Sequence, residues 1–267
     1  MNEIEKFKTE LKLKGFSEKT LKNYLFFIEK FMLHANKQVE ILNEDDIKSY
    51  LSSLLDKNSR ATVSLAASAL RSFYTVLGKP ISKIQLPKKE KKLPIVLNKE
   101  EVKKLIEASQ TAKSKLIISF LYSSGLRVSE LVNLKPVDLN LDEKTGWVRK
   151  GKGSKDRLFT LSENLISDLK NYLEEKKENQ YLFSPNKPLT TRNIQKIIAL
   201  TASKAGLQKK VTPHTLRHSY ATHLLESGVD IRIIQELLGH ANLNTTQLYA
   251  HVSTEQLKKV RNPLDAL

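Results

Sequence analysis

Cysteine is absent from the 267 residues. That excludes a disulfide scaffold, a thiol nucleophile and every cysteine-based zinc or iron–sulfur centre. No apolar run approaches the ~18 residues that a membrane span needs, and no charged-then-apolar leader opens the chain. A cytoplasmic protein without a membrane partner is the expectation. Internal repeats and low-complexity tracts are missing too. Acidic residues are few for the number of basic ones. Asp+Glu total 29 against 45 Lys+Arg, which leaves a net charge of +16. With 40% apolar and 28% charged residues, the composition is that of an ordinary globular protein. The length holds one large domain or two modest ones. A compact body of charge +16 repels itself, so a large polyanion is a natural partner.

The excess charge is uneven. Residues 1–85 carry 14 basic and 10 acidic residues, net +4; residues 86–95 carry four Lys and one Glu, net +3; residues 96–267 carry 27 and 18, net +9. Between Gln85 and Pro94 there is no apolar periodicity, and prolines stand at 87 and 94. This segment reads as an extended basic linker joining a domain at 1–85 to one at 96–267. Its Lys88, Lys89, Lys91 and Lys92 are candidate phosphate contacts.

The first domain reads as a four-helix bundle. Leu21, Leu25, Ile28 and Met32 recur at helical spacing after a start signal at Ser17. Asn43 with acids at 44–46 opens another helix, and Ser59 opens one whose Val63, Ala66, Leu70 and Phe73 face inward. Ile4, Phe7 and Leu11 mark a short first helix. The second domain is mixed. Helices are expected at 99–109, 113–124, 128–134, 163–177, 190–205, 213–226, 230–238, 244–250 and 254–260. Trp147–Lys150 and Arg157–Leu161 read as two strands of a β-hairpin joined by a glycine-containing turn. In the helix after Asp230, residues Ile233, Ile234, Leu237 and Leu238 are expected to be buried. The fold class is therefore mainly α with a small β-hairpin or sheet.

Four segments carry chemistry: Gly125-Leu-Arg127 with Glu130; Gly151-Lys152-Gly153; His214-Thr-Leu-Arg217; and Gly239-His240, followed nine residues later by Tyr249. Together they suit metal-free attack on a phosphodiester. A tyrosine hydroxyl titrates near 10 and needs cationic neighbours to act as a nucleophile at neutral pH. Arg127 and Arg217 can each clamp two phosphate oxygens with a planar fork that keeps its charge. Lys152, on a hairpin tip, can protonate the leaving oxygen. His214 and Arg217 share one helix face near a positive N-terminus, with Thr212 as cap and Pro213 at the first position. A zinc reading of His214, His218 and His223 lacks a third ligand at suitable spacing.

The strings SSGLRVSELVNL (123–134), GKGSKDR (151–157) and TPHTLRHSYATHLLESGVDIRIIQELLGHANLNTTQLYAHV (212–252) resemble the tyrosine recombinase (phage integrase) family, within it the Xer-type site-specific recombinases. The resemblance implies an N-terminal SAM-like core-binding bundle and a mixed α/β catalytic domain ending in a C-terminal tail. It implies catalytic roles for Arg127, Lys152, His214, Arg217 and His240, support of the first arginine by Glu130, and Tyr249 as nucleophile. DNA contacts are expected from Lys150, Lys155 and Arg157 beside the linker lysines. It further implies cutting and rejoining of double-stranded DNA through a 3′-phosphotyrosyl link. The target would be a short sequence of two half-sites, exchanged by a homotetramer on two DNA sites, with neither cofactor nor metal. Resolution of chromosome or plasmid dimers by a nucleoid-associated protein is the expected role. An apolar stripe of Leu257, Val260 and Leu264 would dock on a neighbouring protomer or on its own domain. Three alternatives stay open: integrase of a mobile element, a type IB topoisomerase-like nicking-closing enzyme, and a non-catalytic DNA-binding protein.

Overall fold

The structure, a computed structural model, describes residues 3–79, 81, 93–149 and 156–239. The chain divides into two compact units, one running to Lys91 and the other starting at Lys92. No helix among the described residues is long and apolar enough to cross a membrane.

The first unit packs four helices, α1 (Glu3–Leu13), α2 (Glu18–Ala35), α3 (Glu44–Leu55) and α4 (Arg60–Val76). Side-chain oxygens set three of the starts. Ser17 accepts from Thr20 N–H, Asn43 from Asp45 and Asp46 N–H, and Ser59 from Thr62 N–H. Each such cap contributes about 1 kcal/mol. At α3 the Asp46 carboxylate returns the bond to the Asn43 N–H, closing a capping box. The core is aromatic, with Phe7 edge-on to Phe73 at 5.3 Å and Phe31 beside Tyr50 and Tyr74. Ala66, Ala67 and Ala69 are buried on α4, where small side chains let it approach α2 closely.

The second unit is built around α6 (Ala112–Ser124), which buries Leu116, Ile117, Ile118, Phe120 and Leu121 on all sides. A helix apolar all round belongs in a core, and α5 (Lys99–Glu107), α8 (Glu163–Glu175), α9 (Thr191–Lys204) and α10 (Pro213–Glu226) surround it. The short α7 (Val128–Asn133) follows α6 after a turn at Gly125. Among the described residues the sheet has three antiparallel strands, β1 (Leu139–Asn140), β2 (Thr145–Val148) and β3 (Arg157–Thr160), in that order, so the two-residue β1 joins the expected pair. The β2–β3 register pairs Thr145 with Thr160 and Val148 with Arg157. Phe159 points inward against Phe120 at 5.9 Å.

The last described helix is α11 (Ile231–Leu238). Only Ile234 and Leu238 of its apolar residues are buried; Leu237 is half-buried and Ile233 is exposed, against expectation. The cause is geometric. Positions 234 and 238 lie one turn apart on the stripe that meets α10, and 233 sits on its flank. The expected helices at 244–250 and 254–260 and most of the linker lie outside the described residues.

Candidate active site

The site starts where α6 stops. Gly125 adopts a left-handed conformation at φ +60°, the chain turns through buried Leu126, and Arg127 becomes the N-terminal cap of α7. A Cβ on Gly125 would lie 2.5 Å from the Tyr220 ring and 2.8 Å from a Leu238 methyl. Glycine therefore serves twice here, by its backbone freedom and by its lack of a side chain.

Glu130 organises the next layer. Its Oε2 accepts the Arg127 backbone N–H at 2.8 Å, and its Oε1 accepts Arg127 Nη1 at 2.7 Å. The carboxylate is 6% exposed. Burial alone would raise its pKa, but Arg157 and Arg127 together hold it below the usual glutamate value.

Arg217 is also buried, on the α10 face that looks toward α11. Its Nη1 donates to the Gly125 carbonyl at 2.5 Å and its Nη2 to the Leu238 carbonyl at 2.6 Å. The Arg127 Nη2 donates to the Gly239 carbonyl at 3.0 Å. Arg157 Nη1 donates to the Leu237 carbonyl at 2.7 Å. Three guanidiniums thus grip three consecutive carbonyls at the carboxyl end of α11. Those oxygens have no partner within the helix and sit at the negative end of its dipole.

His214 is the second residue of α10, whose start is fixed by the Thr212 cap and Pro213. Its pKa is held below the ordinary histidine value by partial burial and then by the Arg217 and Arg127 charges. His214 is exposed, and an imidazole there suits hydrogen bonding to an anionic oxygen. One turn on, His218 is pushed down to about 4 by burial and by its neighbours His214 and Arg217. The third histidine of α10 does other work, its Nδ1 lying 2.8 Å from the Tyr122 hydroxyl at His223.

The structure therefore brings Arg127, Glu130, His214 and Arg217 together. Lys152, His240 and Tyr249 lie outside the described residues, as do Lys88, Lys89, Lys91, Lys92, Lys150 and Lys155. Arg157, expected to contact DNA, has a side chain that is 10% exposed, and its Nη2 donates to Glu130 Oε2 at 2.5 Å. The reason is strand alternation. Arg157, Phe159 and Leu161 lie on the same face, which is turned inward. That period of two was the available signal in the sequence. A second feature hidden from sequence reasoning is the close approach at Gly125, because its neighbours come from α10 and α11, far along the chain.

Residues 96–256 match the phage integrase family model, and residues 4–83 match that of the phage integrase N-terminal SAM-like domain. Tyrosine recombinase XerA of Pyrococcus horikoshii is 40% identical over 265 residues, covering 96% of this chain and 91% of that protein. Tyrosine recombinase XerD of Staphylococcus haemolyticus is 36% identical over 276 residues, covering 93% of each. Among solved structures, the XerH site-specific recombinase in its post-cleavage complex with palindromic difH matches with a TM-score of 0.76 at 28% identity. That match covers 90% of this chain and 78% of the other.

Proposed function

Because the chain belongs to the phage integrase family of tyrosine recombinases, we propose that it is an Xer-type site-specific recombinase whose active site is the cluster around Arg127 and Arg217. The observation that carries the reading is the convergence of these two guanidiniums with His214 ahead of the carboxyl end of α11. The chain continues from there to His240 and Tyr249.

In this reading the Tyr249 hydroxyl gives up its proton to water, and its oxygen attacks a DNA phosphorus. A 3′-phosphotyrosyl bond forms as the bond to the 5′-oxygen breaks, and that oxygen takes a proton from Lys152. Arg127 and Arg217 hold the non-bridging oxygens through the five-coordinate transition state, where electrostatic stabilisation is the largest contribution. Each guanidinium already binds oxygen acceptors, the carbonyls of Gly239, Leu238 and Gly125. Phosphate oxygens offer the same acceptor geometry with more charge. Glu130 aims Arg127, and His214 and His240 hydrogen-bond the phosphate. A 5′-hydroxyl from the partner duplex then attacks the phosphotyrosine: the new bond to DNA forms as the bond to the Tyr249 oxygen breaks, the hydroxyl proton returns to Lys152, and the tyrosine oxygen is reprotonated by water. The bond energy is conserved, so the cycle needs neither ATP nor a metal. Exchange of two strand pairs calls for four protomers on two DNA sites, each a short pair of half-sites.

The same reading assigns residues 1–85 to core binding, 86–95 to a basic linker bearing Lys88, Lys89, Lys91 and Lys92, and 96–267 to catalysis and a tail. Lys150 and Lys155 would flank the DNA backbone beside Lys152. Resolution of chromosome or plasmid dimers in the cytoplasm, close to the nucleoid, fits the similarity to XerA and XerD.

The test is covalent trapping on a nicked duplex carrying a candidate site, with EDTA present and ATP omitted. The wild type should give a protein–DNA band on a denaturing gel, and Tyr249→Phe should bind DNA without giving one. Cleavage by Tyr249→Phe would remove this tyrosine as nucleophile. Absence of a wild-type band across a random-sequence library would favour a non-catalytic DNA-binding protein.

A further inference from the structure

We propose that Arg157 is a positioning residue for cleavage: it locks Glu130 and the carboxyl end of α11 to the first residue of β3, and so aligns Arg127 and Arg217. This role rests on the reading that the chain cleaves DNA through Tyr249.

The geometry is specific to a guanidinium. Nη2 reaches Glu130 Oε2 at 2.5 Å while Nη1 reaches the Leu237 carbonyl at 2.7 Å. Glu130 is the carboxylate that holds both the backbone and the side chain of Arg127. Leu237 is followed by Leu238 and Gly239, whose carbonyls bind Arg217 and Arg127. One side chain therefore braces both supports of the two candidate phosphate-binding arginines without joining them at the exposed face. A lysine ammonium is a point donor on a flexible stem, and cannot span two acceptors as a rigid fork does.

The surroundings confine Arg157 to this position. A Cβ at Gly239 would lie 2.6 Å from Arg157 Cδ and 2.9 Å from its Nε. Glycine at 239 thus leaves room for the arginine stem. Arg157 Nε is buried and has no hydrogen-bond partner among the described residues. Burying a guanidinium with one unmet donor costs free energy, and a buried ion pair recovers little of it as stability. The arrangement is better explained by alignment of the arginines than by gain in stability.

The test compares Arg157→Lys and Arg157→Gln with wild type and Arg127→Ala in the full chain. Arg157→Lys keeps a cation beside Glu130, and DNA binding with the wild-type salt slope reports that each variant is folded. Two readouts are taken: DNA affinity against salt, and single-turnover cleavage of a nicked duplex with either a natural or a methylphosphonate scissile group. The methylphosphonate replaces one charged oxygen with a methyl, which lessens the need for an aligned arginine. Both Arg157 variants should bind DNA within about twofold of wild type, with the same salt slope. Both should cleave the natural phosphate roughly 100-fold more slowly, the scale expected of a small misplacement. Relative to wild type they should regain about tenfold on methylphosphonate, in parallel with Arg127→Ala.

Three results would overturn the assignment. Near-wild-type cleavage by Arg157→Lys would mean that only a positive charge is required. Weaker DNA binding with a salt slope smaller by about one would mean a phosphate contact. Equal slowing on both substrates would mean a packing defect that is blind to phosphate charge. A wild type that forms no Tyr249 adduct would instead overturn the recombinase reading together with this one.

Discussion

At the scale of single residues, the site depends on two side chains that are not there. Gly125 ends α6 with a positive φ and lies against Tyr220 and Leu238. Its carbonyl also accepts from Arg217. Gly125→Ala would force a methyl to within 2.5 Å of the Tyr220 ring. Overpacking costs about 1–3 kcal/mol, and the left-handed backbone adds about 1 kcal/mol for a residue with a Cβ. Loss of roughly 2–4 kcal/mol in urea melts is expected, with cleavage falling further than the folded fraction because the Arg217 acceptor shifts. A variant as stable and active as wild type would remove the close approach from the account. The stop signal at Gly125 and the left-handed turn at Gly239 are legible in the sequence. What each glycine makes room for is not, since Tyr220, Leu238 and Arg157 arrive from distant elements. Arg157 shows the complementary case. Its place at the edge of a lysine-rich hairpin suggests DNA, whereas its alternation with Phe159 and Leu161 turns it inward against Glu130.

At the scale of elements, local rules make most helices readable. Ser17, Asn43, Ser59, Asn98 and Thr212 each cap the helix that follows. The strand β1 escapes such reading because two residues carry no usable period. Helix α10 is the least periodic of the described helices, burying Thr215, Leu216, Arg217, Ser219, Tyr220 and Ala221 on nearly all sides. That burial has a pH consequence at His218, whose pKa falls from the ordinary 6.5 to about 4. The folded protein thus resists a proton that the unfolded chain accepts below 6.5. The neutral imidazole contributes its full stability above that pH, and the contribution falls away as pH drops toward 4. A shift of this size corresponds to roughly 3 kcal/mol. Glu130 acts in the same direction, because its lowered pKa gives stability that is lost on acidification. The melting temperature should therefore decline between pH 6.5 and pH 4, and His218→Gln should flatten part of that slope. An unchanged slope in the variant would place the acid sensitivity elsewhere.

For the whole molecule, charge and division into units matter more than any one contact. The net +16 is shared among 1–85, 86–95 and 96–267 as +4, +3 and +9, so the ten-residue stretch is by far the densest. DNA neutralised by Z cations releases counterions, and log K then falls against log salt with a slope near −0.9Z. If Lys88, Lys89, Lys91 and Lys92 all meet phosphates, replacing the four by Gln should reduce that slope by about 3 to 4. The loss should be alike for a recombination site and for unrelated duplex, because phosphate contacts position a protein and base contacts specify. A competition titration across several salt concentrations separates the two effects. Equal slopes for the wild type and the quadruple variant would show that the stretch runs clear of the backbone. A loss confined to the recombination site would give it a part in sequence recognition, which four lysine ammonium groups, point donors on flexible stems, are poorly shaped to play.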